Sequence, residues 1–78
     1  MRMIKFIWDF RGPNAVKTAQ HHVIHLNEFI EKESLPIHIV KTELNTEMQA
    51  IAYMVVPETL MNDLRERLKP HRGELYSE

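Results

Sequence analysis

Cysteine is missing from this 78-residue chain. Its absence excludes disulfides, thiolate nucleophiles and every cysteine-based zinc or iron–sulfur pattern, and it suits a reducing compartment. A chain this short buries roughly 60% of the surface that its unfolded form exposes, so stability rests on a single core, helped at most by a metal or a second subunit. An excess of charge of one sign is missing as well. Ten Lys and Arg against eleven Asp and Glu leave a formal charge of −1, which is not the footprint of a protein that grips a polyanion, so no nucleic acid is expected as a partner. Long apolar runs are also absent. The first one, residues 4–10, is interrupted by Lys5 and Asp9 and reads as neither a signal peptide nor a membrane span. No membrane partner and no cofactor are expected, and the chain reads as one cytoplasmic domain over residues 1–78 without repeats, linkers or low-complexity tracts.

What is present is periodicity. Residues 3–10 set Ile4, Phe6, Trp8 and Phe10 against Met3, Lys5, Ile7 and Asp9, a period of two that marks a strand with its aromatic face toward a helical layer. The reverse orientation would bury Lys5 and Asp9 at several kcal/mol each in order of magnitude. Gly12 and Pro13 stop the strand, and Pro13 suits the first position of a helix, where its missing amide hydrogen goes unused. Over residues 14–33, Ala15, Ala19, Val23, Leu26 and Ile30 recur at three- and four-residue spacing and predict that helix, ended by Ser34 and Pro36. Residues 37–44 and 47–56 read as an antiparallel hairpin turning at Asn45-Thr46. The later of these strands is apolar on both faces and must therefore be covered on both. Pro57 and Glu58 suit the first turn of a second helix with the stripe Leu60, Met61, Leu64, Leu68, which Pro70 ends. Residues 73–76 read either as a short edge strand beside the first or as a frayed tail.

These elements predict an α+β fold: a ferredoxin-like βαββα(β) split-βαβ sandwich, with two helices on one face of an antiparallel sheet and right-handed crossovers. The face without helices then carries Met3, Ile7, Ile51, Tyr53 and Val55. An exposed apolar patch of that kind marks an interface, and a homodimer through Ile7, Ile51, Tyr53 and Val55 is expected.

Between the first strand and the first helix stands Asp9-Phe10-Arg11-Gly12-Pro13. With this turn, the order of elements along the whole chain resembles the ACT domain, a family of amino-acid-sensing regulatory modules, and the resemblance implies a small ligand held near the turn at a subunit interface. The same order is similar to that of acylphosphatases, with Arg11 and Asn45 in places like those of their phosphate-binding arginine and their asparagine, which implies a minor hydrolase. Residues 49–56 loosely resemble the third-strand motif of RNA-recognition domains. Base stacking needs aromatics on the open face, however, and Phe6, Trp8 and Phe10 belong to the helix side.

Two side-chain groups are candidate sites. Arg11, Gly12 and, one turn into the helix, Thr18 lie where a guanidinium fork, a close backbone approach and free helix amides can cradle a small anion such as a carboxylate or phosphate. Five histidines are the one compositional oddity, three of them in His21-His22-x-x-His25. His21 and His25, four apart, share a helical face as metal-binding pairs do, but the glutamate of the His-Glu-x-x-His pattern is replaced by His22 and no third ligand is evident. The preferred reading holds no metal: His21 and His25 are solvated, and His22 borders the apolar stripe with its ring hydrogen-bonded. Nothing in the sequence supplies a catalytic residue, since Ser34 and Ser77 lack a nucleophile context. A regulatory or ligand-binding module is the leading expectation, with the hydrolase and a histidine metal protein as alternatives.

Overall fold

The structure, a computed structural model, describes residues 2–77. Its order is β1 (Met3–Arg11), α1 (Ala15–Glu33), β2 (Val40–Thr46), β3 (Gln49–Pro57), a 3-10 turn over Glu58–Leu60, α2 (Met61–Leu68) and β4 (Arg72–Tyr76). All strand pairs are antiparallel and the sheet order is β2-β3-β1-β4. This is the expected α+β, ferredoxin-like sandwich, and the C-terminal segment takes the edge-strand alternative, Met3 pairing with Tyr76 and Ile7 with Arg72.

One layer of side chains between sheet and helices forms the core: Phe6, Trp8, Leu26, Ile37, Ala52, Met54, Val56 and Leu64. At one end Ala15 and Ala19 meet Ala50, and the small side chains let α1 approach the sheet closely. The Trp8 indole N–H donates to the Leu68 carbonyl at 3.2 Å, so the largest core residue also occupies an orphan acceptor at the end of α2.

Several boundaries differ from those read in the sequence: Pro57 ends β3 and α2 starts only at Met61, after the 3-10 turn, and three further differences have a local reason. The first helix starts at Ala15, because Gly12 at φ 107 turns the chain and its carbonyl accepts from the Ala15 amide at 3.0 Å; Pro13 and Asn14 stay outside the helix. In residues 35–39 the chain is irregular, since Ile37 drops into the core, and β2 begins only at Val40. The hairpin turns at Glu47 and Met48, two residues beyond Asn45-Thr46. The Gly12 amide donates to the Met48 carbonyl at 2.8 Å, the Met48 amide donates to Thr46 Oγ1 at 3.1 Å, and a bulge between Leu44 and Thr46 takes up Asn45.

The helix-free face departs from the expected open patch. Ile7, Ile51 and Val55 are 1%, 5% and 2% exposed within the single chain. Their register neighbours explain this: Ile7 sits between Tyr53 and Arg72, Val55 beside Lys5, and Ile51 between Asp9 and Glu43. The Lys5 ammonium lies 4.3 Å from the Tyr53 ring centroid, and Arg72 folds onto Asp9. Long polar side chains engaged with their neighbours on this face fit the burial of these aliphatic groups within the single chain, while Tyr53 stays half-buried.

Candidate functional site

At the end of the sheet where β1 runs into the Gly12 turn, the last residues of β1, the bulge of β2 and the first residue of β4 meet around a recess of about 200 Å³. It is lined by Asp9, Arg11, Asn45, Gln49 and Arg72, with Phe10, Ala50 and Ile51 completing the wall. Strand pairing places them. Arg11 is opposite Gln49 in the β1–β3 ladder, and alternation sends Asp9 and Arg11 to the helix-free side. The bulge delivers Asn45 to the same corner from β2.

Two guanidinium groups and one carboxylate line this recess, but they are not equivalent. Arg72 donates from Nε to Asp9 Oδ2 and from Nη2 to Asp9 Oδ1, both at 3.1 Å. Its hydrogen bonds hold the Asp9 carboxyl below the usual carboxylate range, with the charges of Arg72, His71 and Arg11 adding to the effect; Arg72 is raised in turn, first by the same hydrogen bond. Asp9 is further engaged through its backbone, whose amide donates to His71 Nδ1 at 2.8 Å. Arg11 has no ion-pair or hydrogen-bond partner among the described residues. The corner therefore offers a neutralised pair, one uncommitted guanidinium fork and two carboxamides.

Of the expected anion cradle, Arg11 lies in this recess and Thr18 does not. Thr18 lines a separate shallow cavity of about 470 Å³ on the helix side, with Phe10, Asn14, Lys17, His21, His22 and His25. Its hydroxyl is already used, donating to the Asn14 carbonyl at 2.9 Å. Gly12 lines neither cavity; its role is the turn. Gln49 and Arg72 went unnoticed in the sequence because only the register of β3 and β4 against β1 brings them to Arg11. Asn45 was suggested by the acylphosphatase resemblance, and here it does share a wall with Arg11.

The histidines divide. His21 and His25 are exposed with ring centroids 4.6 Å apart, and His25 Nδ1 lies 3.1 Å from Glu28 Oε1. Among the described residues no group of three or more His, Asp or Glu is placed to hold a metal ion. His22 packs between Trp8 and Phe10, at centroid distances of 4.7 and 5.6 Å. Contrary to the expected hydrogen bond, its Nε2 is buried without a partner. Burial, and secondarily the positive charges available to His25 and His71, holds His22 below the ordinary histidine value.

No helix is long and apolar enough to cross a membrane. The chain matches no family model, no curated protein and no solved structure.

Proposed function

We propose that the protein is a small ligand-binding module whose ligand is a compact anion, a carboxylate or a phosphate group, received at Arg11. The observation that carries this reading is the uncommitted Arg11 fork facing the side-chain amides of Asn45 and Gln49 in one recess, while Asp9, the group that would repel an anion, is neutralised by Arg72. A guanidinium matches planar and tetrahedral oxyanions with two parallel donors, and carboxamide N–H groups complete the shell. About 200 Å³ is room enough for a phosphate or a small carboxylic acid.

A second reading rests on one specific observation, the shared wall of Arg11 and Asn45. There the bound group would be an acyl phosphate, with Asn45 orienting water for its hydrolysis. Thermal shift against inorganic phosphate, acetyl phosphate and small carboxylic acids separates the two readings. Binding gives a rise in melting temperature that is lost in Arg11→Ala and weakened in Arg11→Lys, since a ligand at 100 times its dissociation constant stabilises by about 2.7 kcal/mol. Phosphate release from acetyl phosphate that disappears in Asn45→Ala selects the hydrolase. An identical response from wild type and Arg11→Ala rejects both.

A further inference from the structure

β2 is an outer strand of the sheet, and its free edge has a pattern of its own. The Val55 amide donates to the Ile39 carbonyl at 3.0 Å, and Val40 is paired with Met54. Alternation of an antiparallel ladder then turns the backbone groups of Lys41 and Glu43 inward to β3, and those of Val40, Thr42 and Leu44 outward to the open edge. The side chains of these three residues lie on the helix-covered face, opposite Met54, Ala52 and Ala50, while exposed Lys41 and Glu43 lie on the other. Leu44 is 58% exposed, one of the most exposed large apolar residues described. Of the devices that discourage strand addition, the edge carries Lys41 and the bulge after Leu44 but neither proline nor an inward-pointing charge over 40–44.

We propose that a second copy of this chain occupies this edge, pairing β2 with β2 antiparallel about a twofold axis through Thr42. In that register Thr42 faces the partner's Thr42, Val40 faces the partner's Leu44 and Lys41 faces the partner's Glu43. The outward backbone groups of Val40, Thr42 and Leu44 are then the ones an antiparallel ladder requires. Each of the three residue pairs exchanges two hydrogen bonds, the exposed Leu44 gains an aliphatic neighbour, and two ion pairs form on the opposite face. Moving the axis to Lys41 or Glu43 stacks like charges against each other. The bulge after Leu44 ends the ladder, so the contact closes as a dimer and does not propagate. An eight-stranded sheet results, and Asn45 of each anion recess lies just beyond the seam.

Absence of native cysteine makes the register directly testable. Thr42→Cys places two sulfurs across the axis on Cα atoms about 5.5 Å apart, within disulfide reach. Under mild oxidation it should form covalent dimers, whereas Lys41→Cys, displaced from the axis, should not. By light scattering or sedimentation the unmodified protein should be a dimer. Lys41→Glu should raise its dissociation constant by about tenfold or more, and Lys41→Glu with Glu43→Lys should restore it, because the reversed pair is again complementary. Both positions are exposed, and circular dichroism of each variant verifies the fold. A monomer at several hundred micromolar, equal cross-linking of the two cysteine variants, or a dimer indifferent to the charge reversal overturns the proposal.

Discussion

Arg72 grips Asp9 with two parallel N–H···O contacts of 3.1 Å across the β4–β1 ladder, tying the edge strand to the centre of the sheet. Both side chains are partly exposed, so the pair contributes less than about 1 kcal/mol. Asp9 is held below its ordinary value in the folded state, so its contribution is full above the unfolded carboxyl value and is lost as pH falls through the lowered one. Arg72→Ala should therefore melt below wild type at pH 7, and the gap should close in acid. Melting curves of both proteins from pH 7 to pH 2.5 measure this; a gap that persists at the acid end removes the electrostatic account.

His22 predicts pH dependence with a different window. Its folded value is depressed, so the unfolded chain takes up the proton first, and stability declines as pH drops below the unfolded value of about 6.5 until the folded one is reached. The other groups nearby are His25 and His21 on α1 and His71 after α2, with Asp9 titrating lower. His22→Phe keeps the stacking on Trp8 and Phe10 and removes the unpartnered Nε2. It should flatten the profile between pH 7 and pH 5, followed through the fluorescence of Trp8, the one tryptophan. An unchanged slope removes His22 as the source of the effect.

Backbone conformation gives two substitutions of opposite sign. Gly12 sits at φ 107 with nothing within 4 Å of an added Cβ, so Gly12→Ala suffers conformational strain without a clash and should cost about 1–3 kcal/mol. Ser34, left-handed at φ 52 at the end of α1, lets the Leu35 amide reach the Ile30 carbonyl at 3.0 Å. Ser34→Gly removes the penalty of a Cβ in that conformation and should stabilise by up to ~1 kcal/mol. Urea titration reads both, and a stabilised Gly12→Ala contradicts the turn geometry.

Burial ranks the apolar positions. Leu64 is fully buried and Leu64→Ala should cost about 2–5 kcal/mol, enough to unfold much of a domain this small. Ile24, 56% exposed, should tolerate alanine within about 0.5 kcal/mol. Ile51→Glu should lower stability sharply, since that side chain is buried within its own chain. An Ile51→Glu protein as stable as wild type would show the helix-free face to be open after all.

Much of the fold was legible because its signals are periodic. Alternation at Ile4, Phe6, Trp8 and Phe10 and the α1 stripe through Ala15, Ala19 and Leu26 named the core directly. The hairpin turn was misplaced because Asn45-Thr46 has turn chemistry, whereas the deciding bond comes from Gly12, far away in sequence. The helix-free face was misjudged for a related reason. Alternation counts Ile7, Ile51 and Val55 as outward but does not show that they are buried within the single chain, on a face where Lys5 settles on Tyr53 and Arg72 pairs with Asp9. At the candidate site Arg11 was legible as a lone cation beside a turn, and its companions Gln49 and Arg72 depend on strand register. Periodicity leaves that register unspecified.

The central position of β1 has a kinetic consequence. Both of its neighbours, β3 and β4, lie far along the chain, and only the β2–β3 hairpin is local in sequence. Each central ladder forms by closing a long loop before it returns any stabilisation, a step that slows assembly relative to a helical bundle of equal length. Until that closure the hairpin is a two-stranded ribbon with Leu44 uncovered and both flanks unpaired, a species prone to associate with its own kind. The edge through which we propose folded copies meet would thus also be the one most exposed while the chain is still searching for its fold.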